Sequence, residues 1–237
     1  MKPLAILGAV VALTTSTSAH YIFNILIVNG KQIGGEYDYT RRNSNQWNPA
    51  FPDDIIESSD LRCNHGAKPG NTKTYDVNAG DKIGFKVFNR ETIEHPGPGF
   101  VYMSRAPDGV NVAAYDGSGE WFKAWETGLC GTRANSDGSW CSYNKDRLEF
   151  TIPEKIPPGE YLVRVEHIGL HEAFKGRAQL YMECFQLRIA GAGGGTPGPL
   201  VSIPGIYSKD DPGITYDKWS NNPGPYVMPG PAVWDGN

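Results

Sequence analysis

After its first residues, this 237-residue chain has no stretch of about eighteen consecutive apolar side chains. No later segment therefore reads as a membrane-spanning helix, and the mature protein is expected to be soluble. There is no Asn-x-Ser/Thr sequon, so N-glycosylation is not expected. No Cys-x-x-Cys pair occurs, which argues against a structural zinc site. Positive charge is not in excess: 22 Lys and Arg against 26 Asp and Glu give a net charge of −4, one unit more negative without Lys2. That balance offers nothing to nucleic acid or to an anionic membrane. Long apolar stretches of helical period are also missing.

What the chain has is punctuation and strands. Its 29 glycines and 18 prolines mark many loops. Residues 1–19 read as a secretory signal peptide: Lys2, an apolar run over 4–13, then small residues ending at Ala19. Cleavage there predicts a secreted, extracellular protein whose first residue is His20. An N-terminal histidine offers a metal two nitrogens at once, its free α-amine and Nδ1. The rest, 20–237, is the size of one all-β domain.

The segments 21–28, 72–77, 82–88, 100–105, 146–152, 161–167 and 179–189 are rich in aromatic and β-branched residues and bounded by turn signals such as Asn29-Gly30. They predict an all-β, antiparallel sandwich of immunoglobulin or fibronectin III type with long loops. A short helix fits 119–128. From 190 to 237 the chain turns rich in Gly, Pro, Tyr and Trp and reads as an extended segment packed on the sandwich; no separate carbohydrate-binding module is expected. The four cysteines of a secreted chain predict two disulfides, with three pairings open. Cys130 and Cys141 are close enough to clip one loop, which leaves Cys63 with Cys184.

Five histidines occur: His20, His65, His95, His167 and His171. His95 sits in the rigid loop Glu94-His95-Pro96-Gly97-Pro98-Gly99. In the last long strand Gln179 and Tyr181 share a face, and Cys184 takes the other. His171 stands near the start of that strand. One face can thus gather two imidazoles, an amine, a phenol, an amide and a further histidine. His65 and His167 are assigned no chemistry.

The sequence resembles the fungal lytic polysaccharide monooxygenases of auxiliary activity family 9, formerly glycoside hydrolase family 61. The resemblance is carried by His20-Tyr21-Ile22-Phe23, by Ser59-Asp60-Leu61-Arg62-Cys63-Asn64, and by His95-Pro96-Gly97-Pro98-Gly99-Phe100 with Val101-Tyr102-Met103-Ser104-Arg105-Ala106-Pro107. It continues through Arg164-Val165-Glu166-His167-Ile168-Gly169-Leu170-His171, Ala178-Gln179-Leu180-Tyr181-Met182-Glu183-Cys184 and Ile203-Pro204-Gly205-Ile206-Tyr207 with Asp211-Pro212-Gly213-Ile214.

That resemblance implies one copper ion bound by the amine and Nδ1 of His20, a ring nitrogen of His95 and a distant axial Tyr181. Imidazole and amine donors in a planar set suit Cu(II). His171 and Gln179 match the family's outer hydrogen-bonding pair. The implied activity is oxidative cleavage of cellulose or a related β-1,4-glucan, using an external electron donor (a small reductant or redox protein) and O2 or H2O2. The segment after His20, the 36–47 loop and the short 88–95 segment favour oxidation at C1. Tyr21, Trp47 and Tyr207 are expected to stack on sugar rings across a flat face; Trp121, Trp125, Trp140, Trp219 and Trp234 are expected to serve core or tail packing. The protein is expected to be a monomer. Hydrolysis is the weaker enzyme reading, because Asp53, Asp54, Glu91, Glu94 and Glu172 form no recognisable pair of flanking carboxylates. The alternative from another class is a non-catalytic copper- or carbohydrate-binding protein on the same scaffold; the presence of Tyr181, Gln179 and His171 weighs against it.

Overall fold

The computed structural model describes residues 20–88 and 92–237. The leader expected over 1–19, Glu91 and part of the 88–95 segment lie outside the described residues. Ten strands form two sheets. They are β1 (Phe23–Val28), β2 (Lys31–Ile33), β3 (Tyr75–Asn78), β4 (Lys82–Val87), β5 (Gly99–Arg105), β6 (Glu120–Thr127), β7 (Arg147–Thr151), β8 (Gly159–Gly169), β9 (Gln179–Ala190) and β10 (Val201–Ser202). The smaller sheet has the order β2-β1-β4-β7 and the larger β10-β6-β5-β8-β9-β3.

The seven expected strands all appear, with ends moved by a few residues. Asn29 and Gly30 both take positive φ, 50° and 77°, and join β1 to β2 in the primed hairpin turn that such a pair favours. The turn after β3 does not make a hairpin: β4 crosses to the other sheet, between β1 and β7, and β3 pairs with β9. That β3–β9 pairing is parallel, a departure from the wholly antiparallel expectation. A strand reached by a long connection is free of the antiparallel constraint that a short hairpin imposes.

The helix expected over 119–128 is instead β6, paired with β5. Trp121 enters one apolar layer and Phe122 the other, so both faces are covered and no polar/apolar alternation marks the strand in sequence.

Two apolar layers result, divided by the alternation of side chains along each strand. Between the sheets lie Phe23, Phe85, Phe150, Val163, Phe185 and Leu187. On the outer face of the larger sheet lie Phe100, Leu162, Leu180 and Met182, roofed by Leu61, Trp140 and the C-terminal residues Ile203, Ile206, Tyr207 and Ile214. Polar groups caught beneath this roof are paired. Arg164 meets Glu166 through two hydrogen bonds of 2.7 and 2.8 Å, and the Tyr207 hydroxyl donates to Glu166 at 2.6 Å. Losing one member of such a buried pair costs more than the pair contributes.

The disulfides are Cys63–Cys184 and Cys130–Cys141. Their sequence separations of 121 and 11 correspond, in a chain-entropy picture, to roughly 5 and roughly 3 kcal/mol. Among the described residues no helix is long and apolar enough to cross a membrane.

Candidate metal centre

The chemistry-bearing residues meet where β9 begins and β8 ends. Gly169 pairs with Gln179 and His167 with Tyr181 across these strands. The His95 loop is tied to the same end, because Leu170 N–H donates to Pro96 O at 2.9 Å and Ile168 N–H to Pro98 O at 3.1 Å. This close approach explains Gly97: a Cβ there would run into the Ile168 carbonyl. On the other side the 39–50 loop runs along β9, with Ala50 and Leu180 exchanging two 2.9 Å hydrogen bonds. Trp47 lies three residues before Ala50 in that loop.

Here His20, His95 and Tyr181 converge. The ring centroids lie 6.4 Å apart for His20 and His95, 6.3 Å for His20 and Tyr181, and 6.0 Å for His95 and Tyr181. His95 stacks on His171 at 4.0 Å. The Tyr181 hydroxyl donates to Gln179 Oε1 at 2.7 Å. Five of the residues singled out from the sequence therefore share one site: His20, His95, His171, Gln179 and Tyr181.

Two buried ring nitrogens have no hydrogen-bond partner in the protein, His95 Nε2 and His171 Nδ1. A buried nitrogen left bare costs about 1–3 kcal/mol, so each calls for a ligand or water. Burial, together with the neighbouring His171 and His20, lowers the His95 pKa to about 3. Its ring is therefore neutral, with a lone pair available, through the whole physiological range. His171 is lowered too, first by burial. Tyr181 is raised far above the usual phenol range by burial, so it stays a neutral phenol.

Among the described residues no three His, Cys, Asp or Glu side chains converge as a ready metal set. Two imidazoles with a phenol need a donor of another kind, and cleavage after Ala19 would supply one in the α-amine of His20. Such a nitrogen-rich, carboxylate-free set fits copper better than calcium or magnesium. Of the acids weighed for hydrolysis, three are engaged elsewhere: Glu172 with Lys175 and Arg177, Asp53 with Lys209, Asp54 with His65.

The substrate-face expectation needs two corrections. Tyr21 is only 2% exposed and Tyr207 6%. Tyr21 stacks on Tyr181 at 4.1 Å, and its hydroxyl bonds His167 Nδ1 at 2.7 Å. Tyr207 is held inward by Glu166 and by the Tyr102 hydroxyl 3.1 Å away. Neither can stack on an external ring. Trp47 is 48% exposed and remains available. Trp219, expected to serve core or tail packing, is 52% exposed, and its indole Nε1–H donates to the His171 carbonyl at 2.8 Å. Phe174, three residues beyond His171, is 46% exposed. Sequence reasoning missed both; the nearness of Phe174 to His171 in the chain was the only available signal. His167 is fully buried between Tyr21 and Ser142, in keeping with a structural role.

The sequence model of Auxiliary Activity family 9 (formerly GH61) matches residues 20–226. The chain is 44% identical over 237 residues to the AA9 family lytic polysaccharide monooxygenase G of Aspergillus tamarii, covering 98% of this chain and 71% of that protein. It is 42% identical to the AA9 family lytic polysaccharide monooxygenase H of Malbranchea cinnamomea, covering 100% of both. In three dimensions it is similar to a cellulose-active polysaccharide monooxygenase from M. thermophila, with a TM-score of 0.78, 27% identity and coverage of 92% of this chain and 100% of that one. The extended catalytic domain of H. jecorina LPMO9A matches with a TM-score of 0.80 and 25% identity over 92% of each chain.

Proposed function

The chain belongs to auxiliary activity family 9 and is a lytic polysaccharide monooxygenase, and from that premise we propose that it cleaves cellulose, a β-1,4-glucan, at a copper ion held by His20, His95 and Tyr181. One observation carries the reading: the bare, buried Nε2 of His95 sits beside His20 and Tyr181. His20 contributes its amine and ring once cleavage after Ala19 has freed it. That cleavage goes with secretion, and the protein acts outside the cell as a monomer. When bound, copper supplies one-electron chemistry, drawing on an external small reductant or redox protein and on O2 or H2O2, to oxidise a C–H bond of the sugar.

The protein's own groups prepare that chemistry. Burial keeps His95 unprotonated, so protons do not compete for its lone pair until the medium is strongly acidic. Gln179 Oε1 accepts a hydrogen bond from the Tyr181 hydroxyl, which turns the phenol oxygen's lone pairs away from the amide, and burial keeps the phenol neutral. A neutral phenol would be a weak donor to the metal. His171, stacked on His95, presents an unpartnered nitrogen that can hold a hydrogen bond or a proton for the co-substrate. Trp47, with Trp219 and Phe174, offers aromatic faces to sugar rings; each such contact is worth about 1–3 kcal/mol by analogy with base stacking. The register they set determines which hydrogen is removed, and the 36–47 loop favours C1.

The test is incubation of the secreted, copper-loaded protein with amorphous cellulose and a reductant, followed by mass spectrometry of the soluble products. Aldonic acids are expected. Only 4-keto sugars would overturn the C1 assignment, and no oxidised product at all would overturn the function.

A further inference from the structure

The C-terminal segment carries a charge that the metal centre does not use. Lys218 is fully buried, an unusual place for an ammonium group. Its Nζ donates to Asp137 Oδ1 at 2.7 Å. The same Nζ lies 3.6 Å from the centroid of the Trp219 ring. The far edge of that ring donates through Nε1 to the His171 carbonyl at 2.8 Å. Asp137 belongs to the loop clipped by Cys130–Cys141, which is stiffened further: Trp140 Nε1 donates to Ala134 O at 3.0 Å, and Cys130 N–H to Ser139 O at 2.8 Å. Asp137, Lys218, Trp219 and His171 thus form one unbroken series of contacts from a cross-linked loop to the candidate centre.

We propose that Lys218 is a positioning residue that fixes the plane of Trp219 as a stacking surface for a glucan ring next to His171; this rests on the function proposed above. Trp219 sits in a segment rich in Gly, Pro and Asn and is half exposed, so nothing in its local sequence holds one rotamer. Two contacts hold it instead. The ammonium lies against the ring, and the His171 carbonyl catches its edge. The outward part stays open to a sugar. Lys218 and Asp137 form an ion pair whose two charges act on the His171 ring in opposite senses. The pair is also asymmetric. Asp137 is partly exposed and is rehydrated if Lys218 is removed, whereas Lys218 left without Asp137 remains a bare buried charge. Removing Lys218 therefore frees Trp219 at little cost to the fold, and removing Asp137 costs more.

Hydrogen exchange at the Trp219 indole N–H, followed by NMR in the metal-free full-length protein, reads this directly. Lys218→Met should speed that exchange about tenfold, the loss of roughly one hydrogen bond's protection, while Lys218→Arg restores it. Lys218→Leu should speed it as well, and stands in if Lys218→Met does not fold. Adsorption to amorphous cellulose should weaken severalfold in Lys218→Met, with copper affinity by titration unchanged. In a Trp219→Ala background Lys218→Met should cause no further loss. Unchanged indole exchange in Lys218→Met, or an adsorption loss just as large without Trp219, overturns the proposal. A parent protein that does not adsorb to or oxidise cellulose refutes the proposed function instead, and the exchange measurement still decides the role of Lys218.

Discussion

His167 should make the metal-free fold sensitive to acid. Its ring is fully buried, bonded through Nδ1 to the Tyr21 hydroxyl at 2.7 Å and through Nε2 to Ser142 Oγ at 3.2 Å. Burial first, and the neighbouring His95 second, lower its pKa to about 3. In the unfolded chain an imidazole titrates near ~6.5. The folded value is the lower one, so the neutral ring contributes stability that is fully present above ~6.5 and is lost as pH falls toward 3. At pH ~4.5 the folded ring is still neutral and the unfolded ring is protonated, so the loss depends only on the two-unit gap below ~6.5. That gap is worth ~2.7 kcal/mol. For a domain of this size it corresponds to a fall of ~5–11 °C in Tm. His167→Gln keeps a polar partner for Tyr21 and cannot titrate. Scanning calorimetry of chelator-treated parent and variant at pH ~7 and ~4.5 should therefore show an acid-induced fall in Tm that is ~5–11 °C smaller in the variant. Contributions from His95 and the carboxylates are common to both proteins and cancel. An equal fall in the two would refute the reasoning.

Copper titration should show that His95→Ala binds orders of magnitude more weakly than the parent, while Tyr181→Phe retains the ion; tight binding by His95→Ala removes that histidine from the ligand set. His171→Ala and Gln179→Ala should keep copper yet oxidise cellulose about 10²–10⁴ times more slowly, the usual effect of losing a positioned proton or hydrogen-bond group, and parental rates would make both residues structural. Trp47→Ala should weaken cellulose adsorption severalfold with an unchanged Tm, and adsorption equal to the parent would take Trp47 off the binding face. Gly97→Ala should lower Tm by several degrees, since the backbone must move away from the Ile168 carbonyl at a cost of about 1–3 kcal/mol, and an unaltered Tm would show that the approach is loose.

Much of this architecture is legible in the sequence because strand alternation and turn chemistry are local properties. Asn29-Gly30 specifies its hairpin by itself, and Tyr181 and Cys184 are divided between the two faces of β9 by counting alone. What is not legible depends on covering from elsewhere in the chain. β6 escapes because Trp121 and Phe122 are both buried, under different layers, and even Lys123 between strand and tail is covered, its ammonium donating to Glu126 and Pro229. Tyr21 and Tyr207 look like surface aromatics next to functional residues. Each is in fact drawn inward by a partner far away in sequence, His167 in one case and Glu166 in the other. Trp219 errs the opposite way: an indole in a Pro- and Gly-rich tail suggests packing, yet the Lys218 ammonium occupies one side and leaves the ring outside. The gathering of His20, His95, His171, Gln179 and Tyr181 is legible in the sequence, whereas the exposed aromatics are not, because exposure is a property of the assembled surface.

The returning C-terminal segment also decides how this protein behaves when crowded. The outer side of β6 would present unpaired N–H and C=O groups, a template onto which another chain could add a strand. Val201 and Ser202 take up Trp121 and Glu120, and further along Val233 bridges to Lys123, with the Trp234 N–H donating to the Lys123 carbonyl at 2.8 Å. The opposite edge, β3, is four residues long and carries Asp76 ion-paired to Arg188. In the smaller sheet β2 has three residues, with Lys31 exposed, and β7 alternates Arg147 and Glu149 with its apolar positions. Every open margin is thus covered, short or charged. Many copies can gather on one surface without knitting their sheets together, and a chain that ended before Val201 would lose that protection along β6 first.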